Sequence, residues 1–94
     1  FVVAAYRQIG VDLAKLGATT SSTIANSPHL ANVSREDLRP GDLITYTSSK
    51  GIGHVVIYLG NGQTIEASGG KGVNIGTVDW GRVNAIKRPP LPGA

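Results

Sequence analysis

The sequence predicts an α+β domain, with an N-terminal helix packed on a curled, barrel-like antiparallel sheet of about five short strands. Two observations carry this. Apolar residues at helical spacing fill the stretch from Phe1 to Ile9, and from Leu43 onward the chain breaks into short alternating segments separated by glycine, proline and asparagine turns. A helix followed by a run of strands is the segregated pattern of the α+β class. Length and composition agree: 94 residues, 40% hydrophobic and 16% charged, suit a single domain, and no apolar run approaches the ~20 residues of a membrane-spanning helix.

Taken in order, Phe1, Ala4, Ala5 and Ile9 form the apolar stripe of the first helix, which Gly10 is placed to end. Val11 to Leu16 either extends that helix after a break or runs as a loop. The Ser- and Thr-rich stretch from Ala18 to Pro28 reads as mostly loop, with Ile24 and Ala25 as anchors for one helical turn, and His29 reads as loop decoration. Ser34 with Asp37 three residues on is a weak capping box, and Pro40-Gly41-Asp42 is a tight turn. Strands are predicted at Leu43–Thr47, 54–59, 63–68, Val73–Thr77 and Val83–Lys87, with Trp80 in a turn before the last. The prolines of RPPLPGA exclude a further strand, so 1–88 forms the domain and 89–94 a Pro-rich tail.

The most informative stretch is Gly53 to Ser68, GHVVIYLGNGQTIEAS, a hairpin turning at Gly60-Asn61-Gly62. A three-residue loop closed by Gly62 in the left-handed region sets Leu59 opposite Gln63 and Val56 opposite Glu66. That register gathers Val55, Ile57, Leu59, Ile65 and Ala67 on a core face, and His54, Val56, Tyr58, Thr64, Glu66 and Ser68 on the other. Glu66 then lies diagonal to His54, within side-chain reach. An imidazole oriented by a carboxylate is the base half of a nucleophilic site. The alternative on these residues is a wet sheet face carrying a solvated pair.

The net charge is +3 with a pI near 9.6, yet the basic residues are scattered, which argues against a nucleic-acid partner. The chain has no cysteine, hence no disulfide framework and no thiolate metal site. It opens inside an apolar helical pattern without methionine and reads as a piece of a longer protein.

The segments Leu38-Arg39-Pro40-Gly41-Asp42-Leu43-Ile44, Gly53 to Gly62 and Ile65-Glu66-Ala67, in this order and spacing, resemble the NlpC/P60 family of bacterial cell-wall cysteine peptidases. The resemblance covers nearly the whole chain, through Lys87. It implies a papain-like fold, a catalytic His54, an orienting Glu66, and a cleft for peptidoglycan stem peptides; Tyr46, Tyr58 and Ser68 are the candidates to line it, the alternative for a strand tyrosine being core packing. It implies neither metal nor organic cofactor. In that family the nucleophilic cysteine sits in an Asp-Cys-Ser-Gly motif directly before a segment like Phe1-Val2-Val3-Ala4-Ala5-Tyr6. The expected nucleophile therefore stands about three positions before Phe1, where a helix N-terminus and an imidazolium stabilise a thiolate. The chain as given is expected not to hydrolyse peptides. The rival expectation is a non-catalytic module that binds peptidoglycan in the same cleft.

Overall fold

The computed structural model describes residues 2–8, 10–48, 51–68 and 72–90, and shows six antiparallel strands in one open sheet where a curled sheet of about five was expected. Helix α1 spans Val2–Gln8 and α2 spans Ser21–Ala25. The strands are β1 (Ala31–Asn32), β2 (Leu43–Ser48), β3 (Gly51–Gly60), β4 (Gln63–Ser68), β5 (Gly72–Thr77) and β6 (Val83–Arg88), in the order β1-β6-β2-β3-β4-β5. The added strand, β1, is two residues long, too short to leave an alternation in the sequence; it exists because Ala31 and Asn32 pair with Arg88 and Lys87.

Helix α2 is the single helical turn expected around Ile24 and Ala25 in an otherwise irregular stretch. Thr20 caps it: its hydroxyl accepts from the Thr23 backbone amide while the Thr23 hydroxyl accepts from the Thr20 amide, satisfying two otherwise orphaned donors. Val11 to Leu16 is not helical; its turns place Val11 and Leu13 in the core. The Ser34 capping box is not made, since the Ser34 side chain bonds no amide of the short 3₁₀ turn Arg35–Asp37. The expectations for Phe1, Ile9 and 91–94 of the tail lie outside the described residues.

Both faces of the sheet are covered around β2, which corrects the single core face read from the hairpin. On one side Val2, Tyr6, Leu13, Ile24 and Leu30 pack on Leu43, with Val55 and Ile57 partly buried. On the other, Val33, Leu38, Val78, Trp80 and Val83 close over Ile44, Tyr46, Val56 and Ile86. Val56, assigned to the polar face, is 1% exposed, whereas Leu59, assigned to the core, is 40% exposed. Strand alternation sorts side chains into two faces; only the loops that arrive from elsewhere decide which are dry.

The hairpin register is part as expected and part corrected. Ile57 faces Ile65 and Tyr58 faces Thr64, the pairing a three-residue loop predicts, but Gln63 faces Gly60 instead of Leu59. Asn61 and Gly62 both have positive φ, 53° and 79°, so they form a two-residue left-handed turn. Leu59 is extruded as a bulge that absorbs the one-residue offset between this turn and the strands below it.

The Pro40-Gly41-Asp42 turn is pinned at the start of β2. The Gly41 amide donates to the Tyr58 carbonyl at 2.7 Å and the Tyr58 amide donates to the Asp42 carbonyl at 2.8 Å. The buried Asp42 carboxylate accepts two bonds from Arg88, Nε at 2.8 Å and Nη2 at 2.8 Å, and one from the Arg39 amide at 2.9 Å. Hydrogen bonding to Asp42 keeps the Arg88 guanidinium even more firmly protonated than usual. Nearby, burial and then the charge of Asp42 push the Tyr6 hydroxyl up to about 12, and that hydroxyl has no hydrogen-bond partner among the described residues.

Candidate active site

His54 and Glu66 meet. The imidazole Nε2 is hydrogen-bonded to Glu66 Oε2 across the β3–β4 hairpin, with both side chains about one-third exposed. The shared face derived from the hairpin alternation thus brings together the two residues that sequence reasoning paired. Among the described residues the other ring nitrogen, Nδ1, has no hydrogen bond. A partly exposed imidazole held at one nitrogen by a carboxylate is a geometry that suits proton transfer.

The strand before the hairpin supplies the second wall. Tyr46 on β2 lies directly opposite His54 on β3, and the two rings stack with centroids 6.3 Å apart and planes 26° from parallel. Tyr46 is 5% exposed, and its hydroxyl accepts a hydrogen bond from the Asp79 backbone amide at 3.1 Å. The Arg82 guanidinium lies over the same tyrosine ring at 5.6 Å, held by Nε donating to the Thr47 carbonyl at 3.2 Å. Both neighbours of β2 are irregular at this point. Against β3 the register jumps from Tyr46–His54 to Thr47–Ile52, leaving Gly53 unpaired; against β6 it jumps from Thr45–Ala85 to Tyr46–Val83, leaving Asn84 unpaired. A Cβ on Gly53 would stand 2.9 Å from Ser48 Oγ and 3.2 Å from Ser48 Cβ, so the Ser48 side chain would have to shift.

The family model for the NlpC/P60 family matches residues 1–85 of this chain. The chain belongs to the NlpC/P60 family. This NlpC/P60 chain is 39% identical over 75 residues to the Bacillus licheniformis protein named peptidoglycan DL-endopeptidase CwlO, covering 80% of the chain and 16% of that protein. With the Listeria seeligeri protein named probable endopeptidase p60 it shares 39% identity over 80 residues, 82% of the chain and 14% of that protein. The chain thus spans a small part of these relatives' length. Among solved structures, an NlpC/P60 family protein from Bacillus cereus superposes on 97% of the chain and 30% of its own at a TM-score of 0.74 and 21% identity, a likeness of fold. The P60 domain of the antigen MAP1204 from M. avium subspecies paratuberculosis does so on 67% of the chain and 46% of its own, at a TM-score of 0.55 and 34% identity.

Two other residues of this NlpC/P60 chain are expected at the cleft, Tyr58 and Ser68. Tyr58 is partly buried, and its hydroxyl accepts from the Gly62 amide at 2.9 Å, which braces the hairpin turn. Ser68 ends β4 opposite Gly72, and its side chain lies outside the described residues. Sequence reasoning missed Arg82, Asp79 and Gly53 as neighbours of the site. The facing of Tyr46 and His54 was concealed by the Gly53 bulge, since a regular count through the Ser48–Gly53 loop misses the pairing by one. Among the described residues no group of three or more His, Cys, Asp or Glu side chains could hold a metal ion, and no helix is long and apolar enough to cross a membrane.

Proposed function

We propose that this chain is the histidine-bearing part of a papain-like cysteine peptidase that hydrolyses amide bonds in the stem peptides of bacterial peptidoglycan. The observation that carries the reading is the His54–Glu66 hydrogen bond. In the intact protein a cysteine about three positions before Phe1 provides the nucleophile. Its thiol gives its proton to His54 Nδ1 and its sulfur attacks the amide carbonyl. The tetrahedral adduct collapses as the imidazolium returns the proton to the departing amine, leaving a thioester. His54 then takes a proton from water, the hydroxide attacks the thioester, and the thiol is regenerated. Glu66 fixes the ring and stabilises the imidazolium at both stages. On this reading Tyr58 and Ser68 contribute to the wall of the peptide cleft, the domain runs over 1–88 with 89–94 as its tail, and the scheme uses no metal or organic cofactor. The names of the relatives support a secreted or cell-wall-associated enzyme acting outside the cell.

Digestion of purified muropeptides by the full-length protein tests this. Cleavage should be lost with His54→Ala by about 10²-fold or more, the range for a general acid and base. Glu66→Ala should lower kcat more than Glu66→Gln, because the amide keeps a bond to the ring while removing the charge. Cleavage that survives His54→Ala overturns the reading. Muropeptide binding by the full-length protein without cleavage would assign it to the non-catalytic module.

A further inference from the structure

The geometry points to Tyr46 as a positioning residue for His54, acting through its ring and never touching substrate; the inference rests on the peptidase reading of His54. A single hydrogen bond at Nε2 leaves the imidazole free to swing about the line to Glu66. A second ring laid along its face removes that freedom, and Tyr46 is placed to do so at 6.3 Å and 26°. The tyrosine itself cannot swing. It is 5% exposed among Ile44, Val56 and Ile86, its hydroxyl is tied to the Asp79 amide, and the Arg82 guanidinium lies over it. Arg82 is in turn held to β2 in both directions, by its Nε on the Thr47 carbonyl and by the Thr47 hydroxyl on its own carbonyl at 3.2 Å.

The sheet gives an independent sign. Tyr46 is the one residue at which the ladders on both sides of β2 slip, through Gly53 on β3 and Asn84 on β6. A bulge re-aims the side chains beside it and is over-represented next to reactive sites. Here the β3 bulge immediately precedes His54 and brings its ring in register with Tyr46, and the β6 bulge sets Val83, next to Arg82, opposite the tyrosine. Two adjoining irregularities, each costing ladder hydrogen bonds, converge on one pair of rings. A tyrosine that merely filled the core between Ile44 and Ile86 would need neither.

The test compares full-length wild-type, Tyr46→Leu and Tyr46→Phe proteins on muropeptide hydrolysis, with His54→Ala as reference. Loss of orientation is felt in turnover and not in substrate affinity, so Tyr46→Leu should lower kcat about tenfold or more with KM within about twofold. Tyr46→Phe keeps the ring and loses only the Asp79 bond, and should recover most of the rate, to within about threefold of wild type. The ring-current displacement of the His54 imidazole protons in NMR spectra should persist in Tyr46→Phe and vanish in Tyr46→Leu. A wild-type kcat for Tyr46→Leu, or a loss confined to KM, overturns the inference while leaving the peptidase reading intact. Turnover retained by His54→Ala defeats the peptidase reading itself. Should Tyr46→Leu fail to fold, Tyr46→Met takes its place with the same readings: a kcat loss of about tenfold at near-constant KM supports the inference, and a wild-type kcat overturns it.

Discussion

Replacing Asp42 with alanine removes three charge-assisted bonds at once, the pair from Arg88 at 2.8 Å each and the one from the Arg39 amide at 2.9 Å. Asp42 is 2% exposed and the Arg88 side chain 26%, so the guanidinium would be left largely desolvated beside a cavity. Breaking a buried pair from one side costs about 3–5 kcal/mol. The lower end applies here, about 3 kcal/mol, because Arg88 keeps a quarter of its exposure and a second acceptor, the Asp37 carbonyl at 2.9 Å. A 94-residue domain has roughly 5–14 kcal/mol to lose, so the variant should fold but melt some 12–24 °C lower. Urea unfolding of Asp42→Ala, Arg88→Ala and the double variant measures the coupling, expected at about 2 kcal/mol, since the second substitution removes a charge the first has already orphaned. A coupling below about 0.5 kcal/mol would show that the pair is not formed in solution, and that the β6 end is held by its strand pairing alone.

Two further outcomes follow from single contacts. Tyr6→Phe should be neutral or stabilising by up to about 1 kcal/mol at pH 7, because a buried hydroxyl without a partner among the described residues is removed. The pH dependence has a definite sign: with the folded hydroxyl pushed up to about 12 from an ordinary 10, stability is whole below pH 10 and falls as pH rises toward 12, a loss absent in Tyr6→Phe. Denaturant midpoints at pH 7 and 11 check both, and a Tyr6→Phe protein destabilised by more than about 1 kcal/mol at pH 7 would mean the hydroxyl has a partner. Gly53→Ala forces a Cβ to within 2.9 Å of Ser48 Oγ and 3.2 Å of Ser48 Cβ one residue before His54, so kcat should fall about tenfold or more at little cost in folding. Adding Ser48→Gly should restore part of the rate, and an unchanged kcat in Gly53→Ala would show that the bulge does not aim the histidine.

What the sequence determined by itself was the set of local periods and the chemistry they carry. Alternation through GHVVIYLG and QTIEAS, read against the turn glycines, placed His54 and Glu66 on one face before any coordinates, because strand pairing obeys a period of two whatever the rest of the chain does. The position of the turn at Gly60-Asn61-Gly62 was legible from its glycines, but its closure over Asn61 and Gly62 alone, with Leu59 bulged, was not. Only the tertiary structure decided which face was dry, since Val56 is buried by Leu38, Val78 and Trp80, residues 18 or more positions away whose arrival leaves no trace in the hairpin's own pattern. It alone decided the offsets: three single-residue slips, at Leu59, Gly53 and Asn84, reconcile turn, sheet and site, and each is a compromise between neighbouring strands that no one strand encodes. Tyr46 shows the difference most directly. Its residue type suited a cleft wall, but two bulges and a backbone amide from Asp79, 33 positions on, bury it against His54, and long-range pairing of that kind is settled by packing after local preferences have been met.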